Sequence, residues 1–293
     1  MTTSTEQREQ IVNAAIREIS HIATLPEITL KIIDLVEDPK STAQDLHEVI
    51  GNDPALSSRI LKVVNSSFYG LPGQIGSINR AIVLLGLNAV KNIAIAASLA
   101  KLFRGGDLTP TFSAKKLWNH STAVAATSKF ISDQLKLGLG DEAYLSGLMH
   151  DIGVMVEMQF DRNKLIEAVN STGASADGVP ANNLMDCELA VFGATHQDFG
   201  KGLCEKWKFP KSFATVCGHH HEPMEVAPDS RTLVSVVYVA DRLVMNIEDG
   251  FRLDIIDEAI NPAVKEQLSL TDEKIAQIRE ALPEKLADAD SMS

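Results

Sequence analysis

Residues 53–70 read DPALSSRILKVVNSSFYG, and this stretch decides the fold class. Asp53 can cap a helix, and Pro54 suits the first turn because proline has no amide hydrogen to leave unpaired. Apolar residues then recur at helical spacing, at Leu56, Ile60, Leu61 and Val64. The pattern predicts a helix with one buried face that ends near Asn65.

Helical signals continue through the chain. Of its 293 residues, 45% are hydrophobic but only 5% are aromatic, which favours helices over a β-sandwich. Ser41-Thr42-Ala43-Gln44 is typical of a capping box, and Asp141 can cap a later helix. Further helices are expected at about Asn79–Leu85, Asn88–Phe103 and Ala114–Leu135. We therefore expect an all-α protein.

A polar, glycine-containing stretch at Arg104-Gly105-Gly106-Asp107, followed by Pro110, is the best candidate boundary. It divides the chain into residues 1–110 and residues 111–293, although one intimately packed unit is also consistent with the length. Residues 1–110 carry no obvious chemistry. Six of the eight histidines lie between residues 120 and 221, so the candidate site belongs to residues 111–293.

Composition excludes several classes of protein. A net charge of −12 without a basic patch argues against nucleic-acid binding. The polar N-terminus lacks the apolar core of a signal peptide, and the run Asn92–Ala100 is too short to cross a bilayer. Three cysteines without a C-x-x-C pair argue against a disulfide framework and favour a reducing, cytoplasmic setting.

Imidazoles and carboxylates without thiolates suit iron, manganese, nickel or zinc, and a binuclear site needs several of each. His120 falls on the apolar side of its helix, and His150-Asp151 falls in the last turn of the next helix. His220 shares a helix face with Phe213, which would turn the imidazole inward. The candidate metal ligands are His120, His150, Asp151, His196, His220, His221 and Asp241.

Some of these residues have simpler interpretations when each is taken alone. The segment Leu233–Val239 is ambiguous between strand and helix, and a helix would place Asp241 on its apolar face. A carboxylate there is costly to bury unless a cation, hydrogen bonds or a metal compensates it, and the simpler interpretation is an ion pair with Arg242 or a capping role. His196, taken alone, is better explained as an ordinary hydrogen-bonded or partly exposed imidazole, and Thr195 and Asp198 around it resemble a helix start. His219 is expected to face solvent.

The arrangement of His120, His150-Asp151 and Asp241 resembles the H…HD…D signature of the HD phosphohydrolase superfamily. Words in the first half resemble the HDOD family, which occurs in bacterial signalling proteins and is related to the HD-GYP cyclic-di-GMP phosphodiesterases. These sequence motifs are Leu25-Pro26 to Ser41, Asp53-Pro54-Ala55-Leu56-Ser57 and Asn65-Ser66-Ser67-Phe68-Tyr69-Gly70, together with Ile78, Ala81-Ile82 and Leu85-Gly86. The resemblance covers about residues 20–245. It implies an N-terminal helical scaffold packed against an HD-like helical core.

The chain departs from the catalytic HD-GYP relatives at three places. Val154 stands where they carry a lysine after the HD dipeptide and Ile-Gly. Pro223 follows His-His-Glu directly, without the Gly-Tyr-Pro segment of those relatives. Lys116 stands where some of them have a glutamate, and its charge would oppose a cation nearby unless the side chain points away.

These observations predict a cytoplasmic bacterial HDOD signal-transduction module that binds a divalent metal and has weak or no hydrolytic activity. Its expected partners are signalling proteins, with a nucleotide as a further candidate ligand, and neither nucleic acid nor membrane. The alternative is a metal-dependent phosphohydrolase or phosphodiesterase that acts on a nucleotide or a cyclic dinucleotide, with metal-bound hydroxide as the nucleophile.

Overall fold

The structure, a computed structural model, describes residues 4–19, 27–66, 69–100, 102–103 and 106–290. Within these residues the fold is all-α, as predicted, apart from two short antiparallel strands, β1 (Asp107–Thr109) and β2 (Phe112–Ser113). Three features singled out in the sequence lie outside the described residues: Leu25-Pro26, Ser67-Phe68 and Arg104-Gly105.

The first half contains six described helices. They are α1 (Thr5–Glu18), α2 (Glu27–Glu37), α3 (Ala43–Gly51), α4 (Pro54–Val64), α5 (Ile78–Leu85) and α6 (Leu87–Leu99). Helix α4 forms as its sequence predicts, with the Asp53 carboxylate accepting a hydrogen bond from the Leu56 amide at 2.9 Å. Asn65 ends this helix, and its side chain pairs with both backbone polar groups of Ile75.

The capping box of α3 was predicted one residue too early. Thr42, rather than Ser41, caps the helix, and its backbone amide donates to the Asp45 carboxylate at 2.8 Å. Ser41 instead accepts a hydrogen bond from the Lys91 ammonium group. The acid three residues after Thr42 can close the box reciprocally, which fixes the register of the helix start.

The described residues of the second half form ten α-helices. They are α7 (Ala114–Gln134), α8 (Gly140–Met149), α9 (Ile152–Phe160), α10 (Arg162–Ser171), α11 (Leu184–Val191), α12 (His196–Lys206), α13 (Lys211–His219), α14 (Arg231–Val244), α15 (Pro262–Gln267) and α16 (Asp272–Asp290). Helix α14 resolves the strand-or-helix ambiguity in favour of the helix. The predicted cap by Asp141 is wrong: α8 begins at Gly140, and Asp141 lies in its first turn, 3.8 Å from the Lys129 ammonium group.

One hydrophobic core crosses residue 110. Buried side chains of the first half, such as Ile60 and Ile93, belong to the same cluster as Leu148 and Phe199 of the second half. Helix α1 packs against α9 and α12, and α6 packs against α8. The scaffold therefore lies beside the histidine-bearing helices, as the family resemblance implies. Among the described residues, no helix combines the length and apolarity needed to span a bilayer.

Candidate metal centre

The predicted ligands come together from α7, α12 and α14, from the junction of α8 with α9 and from the end of α13. Six of them have fully buried side chains: His120, His150, Asp151, His196, His220 and Asp241. The side chain of the seventh, His221, is 5% exposed. Every candidate ligand from the sequence thus lies in one buried cluster.

A break between two helices lets adjacent residues point into the same space. His150 ends α8 and Asp151 precedes α9, and the His150 Nε2 atom lies 3.1 Å from an Asp151 oxygen. Gly153 makes this junction possible, because a Cβ atom there would lie 1.8 Å from the carbonyl oxygen of His196. The glycine lets α9 approach the start of α12 closely.

The first group of ligand atoms comes from His120, His150 and Asp241. One Asp241 oxygen lies 3.0 Å from the His120 Nε2 atom and 3.8 Å from the His150 Nε2 atom. The predicted alternative, an ion pair with Arg242, does not form, because the Arg242 guanidinium lies over the Tyr238 ring at 3.6 Å. Asp241 therefore faces imidazoles.

The second group comes from His196, His220, His221 and Asp254. The His196 Nε2 atom lies 3.4 Å from that of His220 and 3.2 Å from that of His221. An Asp254 oxygen lies 3.3 Å from the His221 Nε2 atom. Each group offers ligand atoms that all lie within 4.8 Å of one another, which is compact enough to surround one cation.

Asp151 lies between the two groups. Its Oδ2 atom is 3.1 Å from the Nε2 atom of His150 and 3.8 Å from that of His120. Its Oδ1 atom is 3.3 Å from the Nε2 atom of His220 and 3.7 Å from that of His196. One carboxylate thus presents an oxygen to each group, as a bridging ligand of a two-metal site does.

The outward-facing Nδ1 atoms of three imidazoles lie against oxygen acceptors. The contact is 2.7 Å to the Gly147 carbonyl for His150, 3.2 Å to the Cys217 carbonyl for His220 and 2.9 Å to the Glu188 carboxylate for His196. Such contacts fix the tautomer that leaves Nε2 with a free lone pair. Three lone pairs then converge on the interior, which is the orientation that metal ligands require.

Among the described residues, imidazoles are the groups that face the buried carboxylates of Asp151, Asp241 and Asp254. All six carboxylate oxygens are inaccessible to solvent, and no backbone group or non-histidine side chain donates a hydrogen bond to them. Burying three carboxylates together is costly unless positive charge compensates them. The residues present therefore fit a divalent cation, and their imidazole and carboxylate donors suit iron, manganese, nickel or zinc.

The carboxylates also control the charge of the imidazoles. Burial alone would lower the pKa of His150, but Asp151 and Asp241 outweigh it and raise this pKa to about 9. Burial likewise opposes the charged form of His196, yet Glu188 and further acids raise its pKa to about 10. The charged form is therefore favoured at His150 and His196, whereas burial lowers the pKa of His221 well below its usual value.

Three acids of this region were not found from the sequence. Glu188 is buried and accepts hydrogen bonds from both the backbone and the ring of His196. Glu157 is buried beside Glu188, and burial together with the Glu188 charge raises the Glu157 pKa well above its usual value. Asp254 follows α14 in an irregular stretch. None of the three stands in a motif, so only the fold reveals them.

Three other expectations concern residues around the cluster. Thr195 and Asp198 form the expected capping box of α12, and His196 belongs to the cluster as well. His219 is half-buried rather than facing solvent. The Lys116 side chain points away from the cluster, since its ammonium group donates to the Pro110 carbonyl at 3.2 Å. Lys116 therefore does not oppose a cation.

An all-helical fold around buried histidines and aspartates is the architecture of HD-type proteins. The HDOD domain model matches residues 22–223, and the chain belongs to the HDOD family.

The fold is similar to that of two solved structures. An HDOD domain protein of unknown function from Geobacter sulfurreducens aligns with a TM-score of 0.81 and 23% identity over 99% of both chains. A putative phosphohydrolase from Shewanella amazonensis SB2B aligns with a TM-score of 0.70 and 21% identity, over 96% of this chain and 98% of that one.

A longer relative also matches. An uncharacterized protein of Treponema pallidum is 25% identical over 228 residues, which is 76% of this chain. The matched region spans only 42% of that protein.

Proposed function

We propose that the chain is a bacterial signal-transduction module that holds divalent cations in its buried cluster and has weak or no hydrolytic activity. His120, His150 and Asp241 would hold one cation, and His196, His220 and His221 would hold a second. Asp151 lies between the two groups and would contact both cations. Bound cations of this type supply Lewis acidity and lower the pKa of a coordinated water.

The observation that carries this proposal is the burial of the ligands. Six of the seven predicted ligands have side chains with no solvent exposure, so a phosphoester has no visible path to the cations. A catalytic metal keeps one coordination position open to water or substrate, whereas a structural metal is enclosed by protein. The enclosure supports a role in holding a conformation that protein partners recognise.

The second candidate is a metal-dependent phosphohydrolase that acts on a nucleotide or a cyclic dinucleotide. The two complete groups of nitrogen and oxygen donors favour it, and so does the putative phosphohydrolase with a similar fold. Two features weigh against it. Val154 is fully buried where the catalytic relatives have a lysine, and Pro223 follows His-His-Glu without the Gly-Tyr-Pro segment of those relatives.

The test is turnover by protein loaded with iron or manganese, with cyclic-di-GMP and a panel of phosphomonoesters and phosphodiesters as substrates. We expect turnover to be slow or absent. Robust hydrolysis that disappears in the Asp151→Ala variant would replace the regulatory proposal by the enzymatic one. Asp229→Ala, at an exposed aspartate away from the cluster, is the matched control.

A further inference from the structure

The carboxylate of Asp254 is buried against the second group of imidazoles. Its Oδ2 atom lies 3.3 Å from the His221 Nε2 atom and 4.0 Å from the His196 Nε2 atom. Neither Asp254 oxygen is accessible to solvent, and neither receives a hydrogen bond from a described residue. Asp254 also lies outside the matched family region, which ends at residue 223.

The position of Asp254 is unfavourable without a cation. The carboxylates of Asp151 and Asp241 share the same enclosed space, and like charges repel strongly where water is excluded. A buried carboxylate that no donor reaches loses the hydration that it has in the unfolded chain. A divalent cation between Asp254 and the imidazoles would remove both penalties.

Asp254 belongs to residues 249–256, here called the closing segment, which has no helix or strand. The side chain of Phe251 lies edge-on to His120, with 5.9 Å between ring centroids, and is 1% exposed. Other residues of the segment, including Arg252 and Leu253, line a cavity of about 420 Å³. The closing segment is therefore the wall between this cavity and the ligand cluster.

Three hydrogen bonds join the backbone of the closing segment to α7 and to the start of α11, and the Arg252 side chain also donates to the Asn246 side chain. The Leu184 amide donates to the Leu253 carbonyl at 3.1 Å, and the Asn183 side chain donates to the Asp254 carbonyl at 3.0 Å. The Asn119 side chain donates to the Asp249 carbonyl at 3.3 Å. The irregular backbone of the segment lacks the repeating hydrogen bonds of a helix, and its Phe251, Leu253 and Ile255 side chains are buried. Asp254 and Phe251 contact the cluster.

We propose that Asp254 is a ligand of the second cation and that, through it, metal binding pulls the closing segment over the cluster. Metal binding would thereby change the position of the closing segment at the protein surface, where its last residue, Ile256, is 52% exposed. Opening of the segment would join the cavity to the cations. This inference rests on the proposed metal centre and adds how metal binding there would control the closing segment.

The test compares Asp254→Asn with Asp257→Asn in the full chain. Asp257 is exposed and lies three residues further on, so both variants lose one charge in the same stretch. Manganese affinity is measured by competition with a chelator. Hydrogen exchange of residues 249–256 is measured with and without manganese. Asp151→Ala is measured in parallel, because it reports on the centre itself.

We expect manganese to protect residues 249–256 from exchange in the wild type and in Asp257→Asn. In Asp254→Asn this protection should be lost, and one manganese ion should bind more than about tenfold more weakly. If Asp254→Asn keeps the wild-type affinity and protection while Asp151→Ala loses metal, the proposed role of Asp254 and the closing segment would be wrong, but the metal centre would stand. Unchanged metal binding in Asp151→Ala would overturn both the metal centre and this inference.

Discussion

The Nδ1 atom of His196 lies 2.9 Å from a carboxylate oxygen of Glu188, and both side chains are fully buried. The backbone amide of His196 donates to the same carboxylate at 2.9 Å. A carboxylate behind an imidazole fixes the tautomer, orients the ring and increases the basicity of the opposite nitrogen. Glu188 therefore aims the Nε2 atom of His196 at the second group of ligands.

Glu188→Gln should weaken manganese binding by about 10–100-fold, because glutamine keeps an acceptor oxygen but loses the charge that supports His196. Competition with a chelator measures the affinity. Glu205→Gln is the matched control, since Glu205 is exposed on the same helix as His196. Equal manganese affinities in the two variants would show that Glu188 does not support the metal-binding form of His196.

Gly153→Ala should lower the free energy of unfolding by more than about 1–3 kcal/mol, which is the usual cost of overpacking a core. The new methyl group would lie 1.8 Å from the backbone of His196, so α9 and α12 would have to separate. Gly51→Ala is the control, because a Cβ atom there meets nothing within 4 Å. Chemical denaturation compares the two. A Gly153→Ala protein as stable as the control would contradict the close approach.

Leu56→Asp should destabilise the protein strongly. Leu56 is fully buried, and Leu→Ala changes at such sites already cost about 2–5 kcal/mol before any charge is added. Val83→Asp is the control, because Val83 is 74% exposed and its substitution should change stability by less than about 0.5 kcal/mol. Similar melting temperatures for the two variants would show that the α4 core contributes little.

Residues 111–293 expressed alone should fold poorly. We propose that residues 1–110 and 111–293 are two halves of one folding unit, because Ile93 and Leu148 belong to the same hydrophobic cluster. Without the first half, the apolar faces of α8 and α12 would be open to water. Thermal melts followed by circular dichroism test this. A cooperative melt of the fragment close to that of the full chain would show that the halves are independent domains.

Local signals were sufficient for most of the helices. Asp53 and Pro54 give α4 its start, and apolar spacing identifies the buried face of α14 with Asp241 on it. The inward placement of His120 followed from the same periodicity. Such features depend on residues within a few turns of one another, and those are what sequence patterns report.

The rest of the centre depends on contacts between distant segments. Asp254 lies in an irregular stretch, and only packing against α11 brings it to His221. Glu188 looks like an ordinary helical glutamate until α11 is placed beside His196. The wrong cap at Asp141 has a related cause, since its position beside Lys129 is a tertiary contact. No local spacing encodes these relationships.

The most direct measurement is the metal content of protein purified without a histidine tag, loaded with manganese and freed of excess metal. The wild type and the exposed-site control Asp229→Ala should retain two manganese ions per chain. Asp151→Ala should lose both, because Asp151 presents one oxygen to each ligand group. Equal manganese content in all three proteins would contradict the proposed metal centre.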